Sequence, residues 1–169
     1  MKKYLFLLIV PFLLLGCNNS MNTPTGAVES FLNSYQNLDS ELLENLDQII
    51  DRDQDLTKEQ REKYHDLMVN QYKNLSYKIK SENVVDDTAE VEVEIEVLNY
   101  ASSIRESKNY YRDHQDEVDD YMDYQLLNME NVKNKTHYTI MFSLNKVDNE
   151  WVVDDLDDVD VQKIHGLYE

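Results

Sequence analysis

The sequence predicts an α+β domain: a curved antiparallel four-stranded sheet, N-terminal helices packed on its concave face, and a helical insertion between strands 2 and 3. Three observations predict it. Apolar residues recur at helical spacing between Val28 and Tyr72, as amphipathic helices require. The period then falls to two: Ala89, Val91, Val93, Ile95 and Val97 alternate with Glu90, Glu92, Glu94 and Glu96, the pattern of an antiparallel sheet covered on one side. A second helical stretch over 102–131 separates that segment from two more alternating segments, and helices segregated from hairpins make an α+β layout.

Each element has its own signal. Thr23-Pro24 opens the first helix, with Thr as N-cap and Pro at the first helical position. Val28, Phe31, Leu32 and Tyr35 form its apolar face. Asp39 or Ser40 caps a second helix with Leu42, Leu43, Leu46, Ile49 and Ile50 inward. Thr57 and Gln60 make a capping box that starts a third helix through Tyr64, Leu67, Met68 and Tyr72. Strands are expected over 75–85 and 88–100, turning at Asp86-Asp87. The insertion breaks around Asp113-His114-Gln115-Asp116, with Ile104, Tyr111, Val118, Met122 and Met129 inward. Strands over 136–147 and 150–156 turn at Asp148-Asn149, and a short helix or coil ends the chain.

Ahead of this domain, residues 1–17 read MKKYLFLLIVPFLLLGC. Two lysines precede an apolar run from Tyr4 to Leu15, which is shorter than the roughly 20 residues of a spanning helix and fits the apolar region of a secretory signal. Leu14-Leu15-Gly16-Cys17 resembles the lipobox of bacterial lipoproteins. The resemblance implies a diacylglyceryl group on Cys17 and removal of residues 1–16. Residues 17–22 then form the lipidated cysteine and a polar tether, and 23–169 a single α+β domain. Cys17 is the only cysteine, so no disulfide forms within the chain.

Signal removal also takes Lys2 and Lys3, leaving 14 basic against 34 acidic residues, a formal charge of −20. Such a body repels a phosphate backbone, so nucleic acid is excluded as a partner. It also repels anionic headgroups. The partners expected are the membrane, through lipid on Cys17 at its extracytoplasmic face, and an unknown protein or small molecule.

The stretches TPTGAVESFLNSYQNLDSELL and NKVDNEWVVDDLDD, with the alternating strand over 89–97 between them, resemble small lipoproteins of low-GC Gram-positive bacteria and their wall-less relatives. Those proteins carry a cystatin-like or nuclear-transport-factor-like domain. The resemblance spans nearly all of 23–165. It implies a cone-shaped domain, often with a pocket between helices and sheet, and no known activity.

Two groups of residues are candidates for a site. Asp51, Asp53, Asp55, Glu59 and Glu62 fall at positions 1, 3, 5, 9 and 12 of an EF-hand-like loop, a spacing that supplies oxygen ligands to calcium. Leu56 stands where that loop needs glycine, and the capping box starts a helix early, so an exposed acidic loop is the alternative. Eleven tyrosines lie beyond the signal. Tyr100, Tyr111, Tyr121 and Tyr124, with Tyr110, cluster around the insertion and are candidates to line a pocket for an apolar or aromatic ligand; plain packing is the alternative. A run of Asp154, Asp155, Asp157, Asp158 and Asp160 reads as a solvated strand end or a cation-binding cluster. The four histidines form no helical ligand pair.

No nucleophile elbow, phosphate loop or dinucleotide fingerprint occurs, and no cofactor is expected. The leading expectation is a membrane-anchored, non-enzymatic binding domain. A pocket enzyme of isomerase-like or hydrolase-like type and a calcium-responsive domain using 51–62 are the alternatives.

Overall fold

The computed structural model describes residues 22–169; Cys17 and the segment before it lie outside them. The order is α1 (Pro24–Asn37), α2 (Ser40–Arg52), α3 (Lys58–Asn74), β1 (Ser76–Val85), β2 (Thr88–Leu98), α4 (Tyr100–Asp113), α5 (Tyr121–Glu130), β3 (Lys135–Val147), β4 (Glu150–Val153) and α6 (Asp158–His165). A single 3-10 turn, Gln115–Glu117, links α4 to α5. The strands form one antiparallel sheet in the order β1-β2-β3-β4. The expected α+β layout is therefore present, with the insertion between the second and third strands.

Local chemistry sets the boundaries. Thr23 Oγ1 accepts from Gly26 N at 3.0 Å, capping α1. Both halves of the Thr57–Gln60 capping box are formed. Asp148 and Asn149 both take positive φ, 50° and 69°, as a two-residue hairpin matched to strand twist needs. β4 stops at Val153, short of the expected 156, because the chain turns toward α6, whose N-cap is Asp157.

The inner face of the sheet is where the alternation placed it. Ala89, Val91, Val93, Ile95 and Val97 are buried, and on β3 so are Ile140, Phe142 and Leu144. Val28 and Leu32 of α1 and Met68 of α3 close over them with no exposed surface. Phe31 meets Phe142 edge to face at 5.7 Å, and Tyr35 meets Tyr72 at 5.0 Å. The space between the helices and the centre of the sheet is thus filled by side chains. Aliphatic and aromatic side chains of this size interdigitate to crystal-like density. The concavity of about 680 Å³ that remains between helix and sheet lies at the edge, between α1 and β4, where Phe31, Trp151 and Val153 line it.

A bulge between Ile79 and Ser81 shifts the β1 register and brings Glu82 opposite Val91, on the helix-covered face. The Glu82 carboxylate accepts from Thr25 N at 2.9 Å and from Thr25 Oγ1 at 2.7 Å. This joins the strand edge to the start of α1, where a carboxylate is favoured by the helix dipole.

The C-terminal turn is fastened by a buried amide. Gln71 has no exposed surface. Its Nε2 donates to Leu98 O at 2.9 Å and to His165 O at 2.8 Å, and its Oε1 accepts from Leu98 N at 2.9 Å. Gly166 caps α6 with φ +69°, and its carbonyl accepts from Ala101 N at 2.8 Å. His165 Nε2 lies 3.0 Å from Tyr72 Oη. Burial disfavours the imidazolium and lowers the His165 pKa to about 4.

That shift predicts acid sensitivity. The unfolded chain takes up this proton near pH 6.5, the folded chain only near 4. Stability from the neutral imidazole is present above 6.5 and is lost as pH falls toward 4, at a cost of about 3 kcal/mol. Urea midpoints measured across this window should fall more steeply for the natural chain than for His165→Gln. Parallel slopes would show that His165 does not set the acid limb.

Candidate functional site

The polar concavity of the insertion lies between α4 and α5. Asn99 begins it: its Oδ1 accepts from Ser102 N at 3.0 Å, capping α4, and its own N–H bonds Asn134 O at 2.9 Å, tying the end of β2 to the start of β3. Ser103 and Ser107 follow on one face of α4, four residues apart. Ser107 Oγ donates to Ser103 O at 2.8 Å and accepts from Asn128 Nδ2 at 2.9 Å, which joins the two helices. On α5, Leu126 and Met129 turn into the core, so Tyr124, Asn128 and Asn131 are left on the side facing α4. Asp120 caps α5 through Asp123 N at 2.9 Å, and Gln60 of α3 donates to Asp123 Oδ1 at 3.0 Å. The insertion is therefore held to α3 at one end and to the sheet at the other.

The resulting cleft has a volume of about 460 Å³, within the range of small-ligand sites. Asn99, Ser102, Ser103, Ser107, Asn128, Asn131 and Asn134 supply seven of its twelve lining residues, and Glu106 and Lys133 supply its charges. One end is aromatic. Tyr110 stacks on Tyr124 at 5.4 Å and on His114 at 4.1 Å. Tyr110 Oη donates to Glu117 Oε2 at 2.8 Å, and this bond raises the phenol pKa.

Of the tyrosines read from the sequence, the structure brings Tyr124 into this cleft, beside Tyr110. Tyr100 belongs to the core: it is fully buried, and its hydroxyl donates to Leu67 O at 3.1 Å. Tyr111 and Tyr121 pair with each other, ring centres 4.9 Å apart. The four rings thus do not line one pocket. A tyrosine with an apolar body and one satisfied hydroxyl packs as well as it binds.

The carboxylates over 51–62 are likewise not gathered around a point. Asp51 ends α2, and Asp53 Oδ1 is taken by Asp55 N at 3.0 Å. Glu62 pairs with Lys58 at 3.4 Å on the first turns of α3. Only five residues separate the two helices, too few for a twelve-residue loop to wrap an ion. Among the described residues, no three His, Asp or Glu side chains are grouped to hold a metal.

Three carboxylates of the later acidic run have partners within the fold. Asp154 accepts from Asn145 Nδ2 at 2.7 Å, Asp157 caps α6, and Asp160 pairs with Lys163 at 2.7 Å. The histidines lie on separate elements: His65 on α3, His114 after α4, His137 on β3 and His165 at the end of α6.

Sequence reading passed over Ser103, Ser107, Asn128 and Asn131, which form the cleft. The available signal was small polar residues at four- and three-residue spacing on two helices of one insertion. No helix among the described residues is long and apolar enough to cross a membrane. Comparison with known protein families, with curated proteins and with solved structures finds no match.

Proposed function

We propose that this chain is an extracytoplasmic lipoprotein whose domain binds a ligand without transforming it. Residues 1–16 are the signal, Cys17 carries the lipid, and 23–169 form the binding domain. The domain is read as a filled variant of the cystatin-like or nuclear-transport-factor-like cone. Support for that reading is the element order, three helices followed by a meander sheet with a helical insertion.

The observation that carries the binding role is the chemistry of the α4–α5 cleft. Seven of its twelve lining residues are neutral hydroxyls and amides, with Glu106 and Lys133 its only charged groups. The hydroxyls and amides orient a ligand by hydrogen bonds, but they do not titrate near neutral pH and are poor general acids or bases. His165, whose pKa is strongly shifted, lies against Tyr72 and not in the cleft.

The anchor is tested by Cys17→Ser. The natural chain is expected in the membrane fraction with incorporated fatty acid, because two acyl chains hold stably where one is marginal. The variant is expected to lose the label and move to the soluble fraction. A processed variant that stays with the membrane would sink the anchoring reading.

A further inference from the structure

We propose that the α4–α5 cleft is a binding site for a neutral saccharide. The inference rests on the binding role given above and names the chemistry of its ligand.

The first support is Ser103. It is 9% exposed and lines the cleft. Its hydroxyl makes no hydrogen bond within the described part of the chain, and no buried side-chain polar atom there lacks a partner, so this oxygen opens onto the cleft. A hydroxyl that opens onto a cleft without a protein partner is met by water or by a ligand group in its place.

The second support is the donor and acceptor pattern. Asn128 spends its amide N–H on Ser107, and Asn131 spends its own on Leu127 O. Each uses one of its two amide N–H groups there and keeps the other, together with a carbonyl oxygen that accepts. Asn99 spends its carbonyl on Ser102 N and presents an NH2, which donates only. Ser103 can do either. The lining thus offers neutral donors and acceptors side by side, and ligand groups that both donate and accept, as sugar hydroxyls do, meet either kind.

Charge and shape agree with this. Glu106 and Lys133 are opposite in sign, so the cleft favours neither an anion nor a cation. Tyr110, stacked between Tyr124 and His114, closes one end with apolar ring edges against which the C–H groups of a pyranose can lie.

The test is ligand-observed saturation-transfer NMR on the full lipidated chain in nanodiscs. The probes are cellobiose, lactose and N,N′-diacetylchitobiose, with N-acetyl-trialanine amide as the peptide control. At least one disaccharide is expected to receive saturation. Ser103→Ala removes a hydroxyl that supports nothing in the fold and is expected to weaken that disaccharide about 3- to 10-fold, the worth of one neutral hydrogen bond. Asn128→Ala should weaken it as well, and melting curves show that both variants are folded. Transfer to the peptide alone, reduced by Ser103→Ala, would overturn the saccharide and leave the binding role standing. Disaccharide transfer unchanged in both variants would overturn the cleft as its site. Transfer to none of the four probes would overturn the saccharide and the binding role together.

Discussion

Gly166→Ala is expected to lower the melting temperature by on the order of 10 °C. Two costs combine. Gly166 sits at φ +69°, a left-handed conformation that costs an L-residue roughly 1–2 kcal/mol. A Cβ there would also collide with Gln71 Nε2 and with the Leu98 carbonyl, one a buried amide fixed by three hydrogen bonds and the other backbone. Neither can retreat without breaking the contact between α3, β2 and α6. Overpacking of this kind adds about 1–3 kcal/mol, and each kcal/mol shifts the midpoint of a domain this size by about 2–4 °C. Gly166→Asn separates the two causes. Asn tolerates the left-handed conformation but brings the same Cβ, so it should be nearly as unstable as Ala. A near-normal melting temperature for Asn would show that backbone conformation, not space, requires glycine.

Gln71→Leu is expected to cost about 3–5 kcal/mol. Leucine fills a similar volume, so little of this is cavity. The loss comes from three backbone groups, the N–H and C=O of Leu98 and the C=O of His165, left without the amide that meets them. A buried polar group stripped of its partner costs about 1–3 kcal/mol. Gln36→Leu is the comparison: Gln36 gives a single bond, to Leu75 O at 2.8 Å, and its loss should cost about 1 kcal/mol. Urea unfolding of the two variants checks the ratio. Equal costs would mean that water or a shifted carbonyl replaces the Gln71 amide.

The elements that sequence reading placed well are those whose signal is local. The strand from Ala89 to Val97 announces its face at every second residue. The Thr57–Gln60 box starts its helix within one turn, and Asp148-Asn149 closes a hairpin within two residues. Gln71 shows what local reading misses. A glutamine on an amphipathic helix reads as solvated, and its partners lie 27 and 94 residues away. The bulge beside Ile79 is invisible for the same reason, because it exists only in the pairing with β2. In the insertion, aromatic residues drew attention to a pocket, yet three of the four tyrosines are spent on packing. The cleft is made of serines and asparagines, whose composition alone is that of ordinary surface.

The bond from Glu82 to Thr25 fixes the point where the tether meets the domain. Asn22 lies beside the Asp148-Asn149 turn, at the end of the sheet where both hairpins close. Asn99 and Asn134, at the floor of the α4–α5 cleft, mark the opposite end of β2 and β3. β2 is 11 residues long, so the two ends stand roughly 35 Å apart at about 3.3 Å per residue. With Cys17 in the bilayer as proposed, the sheet becomes a spacer. It would set the cleft at the end of the sheet away from the tether, about the length of β2 from the point of attachment.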